Sequence, residues 1–287
     1  MFEPSAVAVV GASKVEGKIG YEAMANAALF DGPVYPVNPS ASGELFGSEF
    51  VSSVTDIDDD VDLALCCVPG PAVPDVLEEC GEAGVGAVVL YSSGFAEAGD
   101  EGEELQETIV GIADEHGISL LGPNTSGFLV PARNLRCSFA SGVEEIPPGN
   151  TAILAQSGGV AHTLAYQSRR QGRGISAMVG LGNRANVGFA ETIEYFDADE
   201  NTDAIVLHVE GTDDGRGLLE ACRASDTPDT LPSDRMGVAF APSASPDDGL
   251  DRSGEGGAAP GRRVGGGRRV RDGSRHPLRL YHSGAES

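Results

Sequence analysis

The sequence predicts an α/β protein: a Rossmann-like, doubly wound domain over residues 1–145, a second and shorter α/β unit over 146–225, and a disordered Gly/Arg-rich tail over 226–287. Three observations carry this. Short, continuous apolar runs alternate with helix-patterned segments, as a parallel sheet covered on both faces requires. A glycine-bearing loop follows the first apolar run directly. After Ser225 the composition changes abruptly.

In the first domain the runs Val7–Val10, 34–37, 63–68, 87–91 and 119–121 read as strands. Helix patterns fall between them, at 19–30, at 73–83 with Pro71 and Pro74 near the start, and at 103–116. In the last of these, Leu105, Ile109, Ile112 and Ala113 share one face. Such an alternation makes a parallel sheet with ligands at the carboxyl ends of its strands. Those ends carry Asn38-Pro39-Ser40, Pro69-Gly70-Pro71, Ser92-Ser93-Gly94 and Gly122-Pro123-Asn124. Polar, Gly- or Pro-bearing loops gathered on one edge favour a binding site over plain connections.

The loop from Gly11 to Gly20 has the form of a phosphate cradle. Gly11 allows a sharp exit from the strand, Gly17 lets backbone approach a ligand, and Gly20 lets the new helix pack on the sheet. Amide groups at a helix start suit an anionic phosphate. The spacing is G-x5-G-x2-G, and a glycine turn without a ligand is the competing reading. The second strand ends without the carboxylate that a nicotinamide dinucleotide site places on the ribose, which argues for another phosphate-bearing nucleotide.

Pro147-Pro148-Gly149-Asn150 marks the boundary of the second unit. Strands are expected at 151–155, 175–180 and 204–209, and helices at 160–170, 188–196 and 215–224. Ser157, Gly158 and Gly159 repeat the anion-cradle pattern at a helix start; an N-capping role for Ser157 fits equally well. Glu210 ends a strand on the same edge, as a site residue or as a solvated acid. His162 admits two readings, a phosphoryl-accepting residue and a partly buried or capping one; the second is favoured because no carboxylate partner stands nearby in the sequence, and His116 and His208 read as structural.

Charge and cysteines exclude several classes. The net charge is −25, and Lys14 and Lys18 are the only lysines. That balance opposes a nucleic acid or an anionic membrane as partner. It resembles the composition of cytoplasmic proteins from salt-loving microbes, a reading favoured over an ordinary acidic bacterial protein because −25 repels itself unless salt screens it. No apolar run reaches membrane-spanning length and no signal sequence opens the chain, so a cytoplasmic location is expected. Five cysteines without C-x-x-C spacing read as buried thiols, with no metal site expected.

Taken together, Val9-Val-Gly-Ala-Ser13, Val34-Tyr-Pro-Val-Asn-Pro39, Ser93-Gly-Phe95, Leu121-Gly-Pro-Asn124, Gln156-Ser-Gly158, Leu181-Gly-Asn183 and Val209-Glu-Gly211 resemble the NDP-forming acyl-CoA synthetases. That family includes ADP-forming acetyl-CoA synthetase and is related to the succinyl-CoA synthetase alpha subunit. The resemblance implies a first domain that binds coenzyme A, with Gly11, Ala12, Ser13 and the helix after Gly17 as its cradle. It implies that Asn38, Pro69, Ser93, Gly94 and Asn124 line that site. It implies a truncated flavodoxin-like ligase domain in which Ser157 and Gly158 hold phosphate and Glu210 steadies a phosphorylated histidine. The reaction implied joins a small carboxylic acid to CoA with ATP or GTP. ATP or ADP would be handled by a missing or separate ATP-grasp domain, carried by a beta-type partner subunit.

Two departures stand out. The family's basic residue after the second strand is replaced here by Ser40-Ala-Ser-Gly-Glu44, and the Ser-His-Thr-Gly segment that carries the catalytic histidine is missing after Ser225. Residues 1–225 hold 35 acids and ten bases, whereas the tail is neutral with nine arginines. A shifted reading frame is the expected origin of the tail; a disordered extension and an RNA-binding arm are the alternatives. The chain is therefore expected to be an incomplete acyl-CoA synthetase part, inactive alone. The alternatives are a stand-alone CoA- or nucleotide-binding module without catalysis, and the product of a damaged gene.

Overall fold

A computed structural model describes residues 1–212, 214–225 and the backbone of 236–240. The first sheet contains β1 (Val7–Val10) and β2 (Val34–Val37); a small hairpin, β3 (Glu44–Leu45) and β4 (Ser48–Glu49), follows. Then come β5 (Leu63–Cys66), β6 (Ala87–Leu90) and β7 (Ser119–Leu121). The sheet runs β2-β1-β5-β6-β7, all parallel, with β1 and β5 adjacent although β2 lies between them in the chain. Helices α1 (Ile19–Ala27), α2 (Val73–Glu82) and α3 (Asp100–His116) make the crossovers.

Alternation along each strand sorts the side chains by face. Val7, Val9, Leu63, Leu65 and Val89 join one core with Ala23, Met24 and Ala27 of α1. Ala8, Val10, Ala64, Cys66 and Val88 join another with Leu77 of α2 and Ile109 of α3. Both faces are dry, which is why the strands read as unbroken apolar runs. Cys66 and Cys67 point to opposite sides, as adjacent strand residues must, and burial pushes the Cys66 thiol up to about 12. All five cysteines are free.

The second sheet differs from expectation in its extent. Besides β10 (Pro148–Ala155), β11 (Ile175–Gly180) and β12 (Ala204–Val209), it takes in β8 (Phe128–Val130) and β9 (Leu135–Cys137). β8 pairs antiparallel with β11, and β9 with β8. By hydrogen bonding the first sheet ends at Leu121, and residues 128–137 serve the second. These strands escaped the sequence reading because Pro131 follows β8 directly and β9 carries Arg136, so neither stands as an unbroken apolar run between helix patterns. That arginine is buried, and its guanidinium donates to the carbonyls of Val143 and Glu144. At the other edge β13 (Met236–Phe240) pairs parallel with β12, at the stretch 236–241 that is the one plausible strand in the sequence of the expected tail. The other tail positions, 226–235 and 241–287, lie outside the described residues.

Helices α4 (Gly158–Arg170), α5 (Phe189–Ala198) and α6 (Gly215–Ala224) complete the second unit. Its parallel strands run β13-β12-β10-β11, again with the first and third strands adjacent. The two units share a core: Phe2 meets Phe128 edge-on and Tyr195 and Phe196 at a tilt, at ring distances of 4.9, 4.9 and 5.0 Å. His116 pairs with Glu78 at 2.8 Å, the structural role expected of it. No helix among the described residues is long and apolar enough to cross a membrane.

Candidate functional site

In an open parallel sheet a ligand crevice forms where neighbouring strands send their crossovers to opposite faces. Here that point lies between β1 and β5. Gly11 leaves β1 at φ +83°, and its N–H donates to Val37 O at 2.9 Å. A Cβ on Gly11 would stand 3.1 Å from Val68 Cγ1 and 3.2 Å from the Cys67 carbonyl carbon. The loop after β1 therefore touches the loop after β5 through bare backbone. Ala12 is buried beneath it. Ser13 Oγ accepts from Val15 N at 3.1 Å, which turns the loop. A side chain at Gly20 would collide with the carbonyl of Gly11, so the third glycine brings α1 against the strand end as its spacing foretold. Gly17 has φ +83° and nothing near its missing Cβ; its N–H donates to Glu22 Oε1 at 2.9 Å.

The remaining expected residues of the first site lie on the same edge in differing roles. Asn38 Nδ2 donates to Ala12 O at 2.8 Å and its Oδ1 accepts from Ser40 N at 2.9 Å, so its amide shapes the cradle. Pro69 caps a short helical turn, exposed, beside buried Gly70. Ser93 and Gly94 are exposed, and Gly94 N donates to Glu97 Oε1 at 2.6 Å. The other Glu97 oxygen accepts from Asn183 Nδ2 at 2.6 Å. Burial alone would raise the Glu97 carboxyl; the hydrogen bonds from Asn183 and Gly94 outweigh it and hold the group below its ordinary value. This fastens the loop after β6 to the loop after β11. Asn124 is exposed at φ +57°, and its N–H donates to Ser92 O at 2.8 Å.

In the second sheet the loops that follow the paired strands β10 and β12 lie on one edge. Ser157 is the N-cap of α4, with Oγ accepting from Val160 N at 3.4 Å. Gly158 packs on the Gly122–Gly127 loop, where a Cβ would meet Ser126 Oγ at 2.5 Å; Gly159 is exposed beside it. Because β10 and β12 are parallel and in register, Glu210 reaches the same edge as Ser157. Gln156 joins them: its Oε1 accepts from both Glu210 N and Gly211 N at 3.1 Å. The Glu210 side chain is left exposed. Sequence reasoning quoted Gln156 only as part of a motif; its clamp depends on a strand pairing that no local pattern shows.

From this edge runs a buried polar chain that links the two helices following the cradles. Asn26 of α1 donates through Nδ2 to Ser138 O at 2.6 Å and Ala140 O at 3.0 Å. Ser138 Oγ lies 3.2 Å from His162 Nε2, and His162 Nδ1 lies 2.9 Å from Gly158 O in the first turn of α4. A carbonyl only accepts, so Nδ1 carries the hydrogen and Nε2 accepts from Ser138. Burial holds the His162 imidazole below its ordinary value, while the bond to Gly158 works weakly the other way.

The folded protein thus disfavours imidazolium relative to the unfolded chain. The stability due to neutral His162 is complete above about 6.5, the ordinary histidine value, and is lost as pH falls below it. The melting temperature of the native chain minus that of His162→Gln should therefore shrink from pH 7.5 to pH 5. A difference that stays constant would contradict this arrangement.

Among the described residues, no group of three or more His, Cys, Asp or Glu side chains is placed to hold a metal ion. Residues 5–131 match the family described as "CoA binding domain", and residues 148–228 match "Succinyl-CoA ligase like flavodoxin domain". The alpha subunit of acetate–CoA ligase (ADP-forming) I from Pyrococcus furiosus is 40% identical over 228 residues, covering 78% of this chain and 49% of that protein. An acetate–CoA ligase (ADP-forming) from Methanocaldococcus jannaschii is 41% identical over 223 residues, covering 77% of this chain and 31% of its own length. Among solved structures, the apo form of a dinucleotide forming acetyl-coenzyme A synthetase 1 from Ca. Korarchaeum cryptofilum superposes with a TM-score of 0.75 at 36% identity. The match covers 83% of this chain and 50% of that one. The chain therefore spans half the length, or less, of these relatives.

Proposed function

The chain is homologous over both of its units to the alpha subunits of ADP-forming acyl-CoA synthetases, and on that premise we propose that it is the CoA-binding, alpha-type portion of such an enzyme. One observation carries the reading: at the switch point between β1 and β5 the loop after β1 meets the loop after β5 at Gly11, where no side chain intervenes, and this loop lies within the stretch that matches the CoA-binding family. In this reading the nucleotide end of CoA lies on Gly11–Ser13 and the start of α1. Its thiol end runs along the polar loops after β5, β6 and β7 toward Ser157 and Glu210. The acid is a small carboxylate. ATP or ADP is handled by an ATP-grasp element, on a partner subunit or on further sequence. The protein works in the cytoplasm of a salt-rich cell. Titration calorimetry of the full chain with CoA, and with NADH as competitor, tests this; a folded chain that prefers NADH would end the reading.

Salt dependence belongs to the same proposal. The first 225 residues carry the whole net charge of −25, and screening shortens to about 3 Å at 1 M salt. The melting temperature should rise by several degrees between 0.1 M and 2 M KCl. A flat or falling curve would remove the salt-rich setting.

A further inference from the structure

Resting on the CoA reading, we infer that Lys14 is the cation that receives a phosphate carried on the nucleotide's ribose, and so distinguishes CoA from dephospho-CoA. In a doubly wound fold the ribose lies at the end of the second strand, where a cation accommodates a ribose phosphate. The end of β2 supplies none itself. Asn38 has its amide committed to Ala12 and Ser40, and Ser40-Ala-Ser-Gly-Glu44 contains no base.

Lys14 reaches this place from the cradle loop. Its Nζ donates to Ser42 O at 2.7 Å, lies 5.6 Å from the centre of the Phe50 ring, and is 3.4 Å from where a Cβ on Gly43 would stand. The ammonium is thus held over the loop that leaves β2. It is exposed, and an ammonium has three donors, of which Ser42 takes one. Gly43, at φ +75°, and Phe50, whose N–H donates to Gly43 O at 2.9 Å, lie next to this ammonium. A dianionic phosphate approaching a body of charge −25 meets general repulsion. The two lysines of the chain both stand in this one loop, and Lys14 is the one anchored on the ribose side.

The experiment is titration calorimetry of the full chain with CoA and with dephospho-CoA, at one KCl concentration, for the native protein, Lys14→Ala and Lys14→Arg. The native chain should bind CoA about tenfold tighter than dephospho-CoA, the size of one charge-assisted hydrogen bond. Lys14→Ala should bring the two affinities together by weakening CoA alone, and Lys14→Arg should keep most of the difference. A native ratio near one, or a ratio that survives in folded Lys14→Ala, overturns the assignment while leaving CoA binding intact. A native chain that binds neither compound overturns the functional reading itself, and the role of Lys14 with it.

Discussion

Gly11→Val should cut CoA affinity by at least a hundredfold while the protein still folds. Two independent penalties meet at this position. Gly11 sits at φ +83°, where a side-chain-bearing residue pays about 1–2 kcal/mol and a β-branched one more. A Cβ there would also press on Val68 Cγ1 at 3.1 Å and on the Cys67 backbone at 3.2 Å. Both neighbours belong to the loop after β5, so relief comes only by separating the two loops that wall the crevice. The Gly11 carbonyl moves with them, and that carbonyl is what α1 packs on at Gly20. The damage therefore reaches the amide groups proposed to face phosphate. Gly111→Ala is the matched control. It lies in the exposed run of α3 with nothing near its missing Cβ, and alanine there should stabilise the helix by up to about 1 kcal/mol without touching binding. Calorimetry with CoA, beside circular dichroism of each variant, decides the matter. Affinity of folded Gly11→Val within threefold of native would show that the crevice is not the site.

The second large effect is a complete loss: the 287-residue chain by itself should take no phosphoryl group from ATP or acetyl phosphate and should form no acyl-CoA. Phosphoryl transfer through histidine needs a neutral imidazole whose free lone pair faces the phosphorus. His162 lies in the first turns of α4, close in sequence to Ser157 and Gly158, and is the histidine nearest that cradle along the chain. Its geometry forbids the role. It is 8% exposed, its Nδ1 hydrogen is given to Gly158 O, and its Nε2 lone pair is taken by Ser138 Oγ. In the proposed reading Ser157, Gly158 and Glu210 position phosphate, and none of them is the histidine on which that reading carries it. Labelled acetyl phosphate and labelled ATP should leave no acid-labile, base-stable label on the protein, with or without CoA and acetate. Label that appears on the native chain and vanishes in His162→Gln would refute this and make His162 the acceptor.

The parts of this protein that were legible in its sequence are those whose cause is local. A strand dry on both faces must be a short apolar run, so β1, β5 and β6 declared themselves within a residue or two. Gly11 and Gly20 were readable because each does a job that only the absence of a side chain permits, a positive φ in one case and a backbone contact in the other. Ser157 was readable as a cap, and in the structure it caps α4.

By itself, then, the sequence determined the order of the main parallel strands and of the helices between them, the doubly wound α/β class, the positions of the two glycine-bearing loops at 11–20 and 157–159, and the family to which they point. Only the tertiary structure decided how those parts meet. It assigned residues 128–137 to the second sheet, because an antiparallel strand of three residues carries too little pattern to name its partner. It committed the Asn38 amide to the cradle, set Lys14 over the loop leaving β2, and tied Gln156 to Glu210 across 54 residues. It joined Asn26 to Ser138 across 112 residues and so linked the two helices through His162. Each of these is a polar contact between distant segments. Its partners are chosen by strand order and register, which decide what each donor or acceptor can reach, and those that are buried, such as His162 and Ser138, must be satisfied there.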